Sequence, residues 1–105
     1  MTERLLPRFA DTKQAEPPTS VLDEAAAVIR ERGRDYDHPL PNHERIAAMW
    51  TVILGATVTP LQVVQCMMAV KLARLIATPE HRDSLVDLCG YAACAETIID
   101  SIRDE

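Results

Sequence analysis

The chain has 105 residues, 26% of them charged, and a formal net charge of −5, which is enough for one domain and too little for two. With a pI near 5.1 and its Lys and Arg scattered rather than grouped, it would repel a phosphate backbone, so direct nucleic-acid binding is not expected. Cys66, Cys89 and Cys94 are odd in number and lack CxxC or Cys/His spacing, which points away from a disulfide framework or zinc knuckle and toward small core residues in a reducing cytoplasm.

Met1 to Thr19 mixes charges with Pro7, Pro17 and Pro18 and has no sustained period or long apolar run. Residues 1–18 are therefore expected to be a flexible arm rather than a signal peptide. Leu5, Leu6 and Phe9 give the arm one apolar contact to make, for which a neighbouring subunit is the alternative partner. From residue 19 to 105, abundant Ala, Leu, Ile and Val with few aromatics favour an all-α domain of about four helices.

The first helix should start at Thr19 or Ser20 as N-cap, with Asp23 and Glu24 in its first turn. Val21, Leu22, Ala25, Val28 and Ile29 form its apolar stripe, and Gly33 is its expected stop. The segment from Gly33 to Asn42 contains Tyr36, Asp37 and His38 between its charged groups and two prolines. It reads equally as a ligand-holding loop or a solvated turn. Asn42 is the expected N-cap of the second helix, whose broad face runs through Ile46, Ala47, Met49, Trp50, Ile53 and Leu54 to a stop at Gly55. Trp50 reads as a core anchor or as a stacking platform for a base.

Thr59-Pro60 opens a third helix that is apolar nearly all round as far as Ile76, interrupted by Gln65, Lys71 and Arg74. It is too short and too interrupted to span a bilayer, which needs about 20 apolar residues, so it is expected to be a core helix with no membrane role. That much apolar surface in a small domain predicts cover from a second subunit, in a homodimer or larger homo-oligomer. Thr78-Pro79 repeats the start signal for a last helix, running to about Arg103. Gly90 inside it points to a close approach of another backbone or of a ligand.

The short break at residues 78 and 79 predicts an antiparallel C-terminal hairpin. Lys71 and Arg74 share a face of one leg, while Asp83 and Asp87, four apart, share a face of the other with Gly90, Tyr91 and Cys94. The hairpin should bring two cations to two carboxylates. These are either salt bridges that lock it or a site in which Lys71 and Arg74 take phosphate and the stacked aspartates take a hard cation such as Mg²⁺. His81, Tyr36 and His38 could line its edge.

Glu31-Arg32-Gly33 with Tyr36, then Asn42 with Ile46-Ala47 and Trp50, then Lys71-Leu72-Ala73-Arg74, then Asp83 with Asp87-Leu88 and Gly90-Tyr91 together resemble a small phage and prophage domain family of unassigned function, over roughly Val21 to Ile99. The last two motifs are also similar, more distantly, to nucleotide-modification-associated domains and MazG-like all-α nucleoside triphosphate pyrophosphohydrolases. That resemblance implies a helical dimer or tetramer that splits a nucleoside triphosphate with Mg²⁺. Asp83 and Asp87 would be metal ligands, and Lys71 and Arg74, with Tyr36, His38, His81 and Tyr91 around them, would hold a nucleotide or other phosphorylated small molecule. MazG-like enzymes also carry Glu-Glu-x-x-Glu on the preceding helix, where this chain has Gln62 and Gln65. The alternative is a non-catalytic phage accessory protein, in the host cytoplasm, that sequesters a nucleotide signal or docks on a host protein.

Overall fold

Helices begin where a side chain can accept from backbone N–H groups that have no carbonyl behind them. Four such starts organise residues 20–35 and 38–104, which are those the computed structural model describes. The expected arm at residues 1–18 and the expected site residue Tyr36 lie outside the described residues. Ser20 Oγ accepts from Asp23 N at 3.0 Å and opens α1 (Val21–Asp35), whose first turn carries Asp23 and Glu24 against the positive end of the helix dipole. The helix continues through Gly33 to Asp35 instead of stopping there. A glycine ends a helix by turning left-handed, and Gly55 is the glycine that does so among the described residues.

The start of the second helix also differs from the expected one. α2 (Pro39–Leu54) is capped by His38, whose Nδ1 accepts from Leu40 N at 3.1 Å, and not by Asn42. Pro39 and Pro41 sit in its first turn, where a missing N–H loses no intrahelical bond. Most of the supposed loop before Asn42 is therefore helix. Gly55 closes α2 at φ 70° with its N–H donating to the Thr51 carbonyl at 3.0 Å. Thr51 Oγ1 then accepts from Val58 N at 2.9 Å, tying down the turn.

α3 (Pro60–Ala77) starts as expected at Thr59-Pro60, with a reciprocal capping box. Gln62 N donates to Thr59 Oγ1 at 3.1 Å, and Thr59 N donates to Gln62 Oε1 at 2.9 Å. Thr78, however, ends α3, its N–H donating to the Arg74 carbonyl at 2.8 Å. α4 (Arg82–Arg103) is capped instead by His81, whose Nδ1 accepts from Ser84 N at 3.2 Å and lies 2.8 Å from Ser84 Oγ. Ser84 is fully buried, so its N–H and hydroxyl require a partner, and His81 meets that need where Thr78 does not.

Among the described residues the architecture is four helices and no strand. The chain is all-α, with the C-terminal hairpin formed by α3 and α4. α4 is the hub: it packs most extensively along α3 and also against α1 and α2, while α2 packs on α3. The buried apolar core is Ala25, Ala47, Val63, Val64, Val86 and Ile98. It is small because, among the described residues, α3 packs only against α2 and α4. Burial of α3 on several sides is thus not met within one chain: Val70, Leu72 and Ile76 are exposed, as is Cys66, while Cys89, Cys94 and Trp50 are half-buried. Nor does any helix cross closely at Gly90, where an added Cβ would meet nothing within 4 Å.

Removing the cap in His81→Ala should lower unfolding free energy by about 1 kcal/mol. Thr78→Ala should change it by less than about 0.5 kcal/mol. Urea denaturation of the two variants checks which residue starts α4.

Candidate functional site

The turn between α3 and α4 spans residues 78–81, so the C-terminal end of one helix lies beside the N-terminal end of the other. Lys71 projects from the side of α3 that also carries buried Val64 and half-buried Leu75, at the i−7 and i+4 spacing of one face. Its stem can lie along apolar neighbours while the ammonium reaches a polar partner. That partner is Asp87: Lys71 Nζ stands 2.9 Å from Asp87 Oδ2, with the two side chains 18% and 33% exposed. Partial burial raises both the attraction and the desolvation cost, leaving a net contribution on the order of 1 kcal/mol.

The remaining members of the expected quartet do not close in the same way. Arg74 and Asp83 are exposed, and among the described residues no ion pair or hydrogen bond joins them. At about 100° per residue, Arg74 is turned some 60° from Lys71, enough to carry it from the helix interface to the surface. Both residues stay at the turn end of the hairpin, Arg74 in the last turn of α3 and Asp83 in the first turn of α4. The site is one bonded pair flanked by a free-standing arginine and a free-standing aspartate.

Past Asp87 on the same face of α4 come Gly90 and half-buried Tyr91. Among the described residues, no side chain or neighbouring helix comes within 4 Å of a Cβ placed on Gly90. One turn further, burial pushes the Cys94 thiol up, with the Arg32 guanidinium of α1 pulling it back. A neutral thiol is a poor nucleophile, in keeping with a packing role.

His38 and His81 both serve as helix caps through Nδ1, a use that spacing alone did not indicate. Gln62, where the resemblance would ask for a glutamate, is spent on the Thr59 capping box, and Gln65 is exposed. Among the described residues no group of three or more His, Cys, Asp or Glu comes together in a way that could hold a metal ion. Sequence reasoning passed over His43, which is buried and whose Nδ1–H donates to the Pro39 carbonyl at 2.7 Å. The signal was its i+4 spacing from Pro39, visible only once α2 is known to start there. Also unanticipated is the ion pair of Arg82 with Glu24 at 2.8 Å, an exposed tie from α4 to α1 that contributes little on its own.

Residues 20–99 match the family described as Domain of unknown function (DUF6378). The chain is 39% identical over 80 residues to Gene 55 protein of Mycobacterium phage D29, covering 75% of this chain and 53% of that protein. It is 38% identical over 79 residues to Gene 55 protein of Mycobacterium phage L5, covering 73% and 51% respectively. The chain thus spans about half the length of these relatives. No solved structure matches.

Asp87→Asn, which strands a mostly buried ammonium, should destabilise by about 1–3 kcal/mol, more than Lys71→Met. The double variant should reveal a coupling of roughly 1 kcal/mol in urea melts. Because burial raises the Cys94 thiol in the folded chain, its contribution is fully present below the unfolded thiol's range and is lost as pH rises from there through the raised folded value. Stability should therefore decline above about pH 9, and Cys94→Ala should flatten that decline.

Proposed function

The chain belongs to the DUF6378 family, a small phage domain family of unassigned function, and on that premise we propose that it binds a nucleotide or another phosphorylated small molecule on the α3–α4 hairpin. The observation that carries this reading is the open space over Gly90 beside the Lys71–Asp87 pair. A glycine inside a helix costs about 1 kcal/mol relative to alanine, and no crossing helix among the described residues accounts for it. A ligand lying against the helix at that point does.

Lys71 offers a point charge and Arg74 a planar fork, the two cation types that recognise phosphate oxygens. An arriving phosphate competes with Asp87 for Lys71, so a group already held in place changes anion rather than ordering a new side chain. Tyr91 stands one turn beyond Asp87 on the same helix, in position for a base or sugar. The site works in the host cytoplasm on this reading, since its relatives are phage proteins.

The Mg²⁺ that the MazG-like resemblance implies is less well served. Asp83 and Asp87 are the carboxylates it would use, but Asp87 is bonded to Lys71 and no third ligand joins them among the described residues. That donor set is too thin for a hard cation that takes six oxygens. We therefore derive no hydrolytic step, and the incomplete set favours a non-catalytic accessory role, holding a nucleotide signal, over pyrophosphohydrolysis.

Melting the protein with a panel of nucleoside triphosphates and inorganic pyrophosphate, with and without Mg²⁺, tests the reading. A ligand at a hundredfold excess over Kd stabilises by about 2.7 kcal/mol. Gly90→Ala should raise the unliganded melting temperature and abolish the ligand's effect, and exposed Arg74→Ala should weaken it. Absence of any shift overturns the proposal, and release of pyrophosphate would restore the enzymatic reading.

A further inference from the structure

From Ile46 to Val70 the sequence runs for 25 residues without a single Asp, Glu, Lys, Arg or His, in a chain that is 26% charged. A buried segment explains such a run easily, but this one is not buried. Only Ala47, Val63 and Val64 within it are fully covered, whereas Met49 is 57%, Val52 83%, Ile53 76% and Val70 50% exposed. Cys66 and Ala69 lie open between them on α3. Both α2 and α3 pack on α4, so the faces they turn away from α4 adjoin on one side of the molecule.

We infer that this α2–α3 face is where a second copy of the chain docks. Three observations choose that occupant. First, copies that carry −5 each dock with least electrostatic cost through a surface free of charged side chains, and residues 46–70 carry none. Second, its composition is that of an interface centre, depleted in charge and rich in apolar side chains and Met, with Ala69 and Cys66 small enough to let two helices approach. Third, the exposed Met49, Val52, Ile53, Leu54 and Val70 present on the order of 600 Å², the lower end of one partner's share of a stable interface. Among the described residues the core holds six apolar side chains, two of them alanines, which leaves a single chain in need of that cover.

Contrary to the expectation from sequence, the 18-residue α3 is long and apolar enough, by length and composition, to cross a membrane. Its Lys71 is tied to Asp87 and its inward side is packed on α4, which is how a helix of a folded domain behaves. The face ends at Val70, immediately before Lys71, so the paired chains would keep the proposed phosphate site at the rim of their contact. The inference stands independently of that site.

Sedimentation equilibrium, with alkylation of Cys66 by iodoacetamide, tests it. The expected result is an assembly of at least twice the 11.7 kDa chain mass. In it Cys66 reacts slowly, at least tenfold faster once the assembly is dispersed by Ala69→Glu or Ile53→Lys. Both substitutions fall on side chains already exposed in the single chain, so circular dichroism should show the helices retained. Three results would overturn the inference: wild-type protein with the mass of one chain, an assembly that both variants leave intact, or co-sedimentation of the single chain with neutral phosphatidylcholine vesicles.

Discussion

A lysine whose side chain is 18% exposed needs a counter-charge, and meeting that need fixes the hairpin on which the rest of this chain is assembled. With Asp87 opposite Lys71, α3 and α4 are set in register, the turn between them is held to residues 78–81, and α4 becomes the surface on which α1 and α2 are laid. The apolar contacts supply most of the favourable free energy, since hydrophobic burial dominates folding. They are non-directional, however, and would tolerate a slide of one leg past the other that a 2.9 Å charged contact does not.

The general plan of this arrangement was readable from residues. Apolar patterning marked the helices, and Thr59-Pro60 announced the start of α3 because threonine caps well and proline fits the first helical position; the part Gln62 plays in the capping box was not read from the sequence. A short break and two charged faces sufficed to bring Lys71 to Asp87. Finer features were hidden for physical reasons. Histidine is a rare N-cap, so neither His38 nor His81 signalled its helix start, and two prolines disguised the first turn of α2 as a loop. Arg74 was grouped with Lys71 by its i+3 spacing, yet the rotation that spacing carries is what turns it outward.

The third helix shows how far composition can mislead. An apolar circumference says that a helix should be covered but does not say by what. Here the chain's own helices cover the part nearest Val63 and Val64 and leave the remainder open. The uncharged run that continues across α2 and α3 is the more informative sign, because it separates surface meant to be joined from surface meant for water. Gly90 belongs to the same class: a residue that weakens its own helix and has no close neighbour from another helix among the described residues. Such features acquire meaning only when a second molecule, ligand or protein, is brought to the surface that holds them.

The proposed site is a cation held in place by the hairpin and still able to exchange its carboxylate for a phosphate. Following backbone amide resonances during a titration with inorganic pyrophosphate and then ATP addresses this most directly. Saturable shifts gathered at Lys71, Arg74, Asp87 and Gly90, with the remainder of α1 and α2 undisturbed, are what the account predicts. Shifts that are absent at millimolar ligand, or that are spread without saturation over the basic groups of the whole chain, would contradict it.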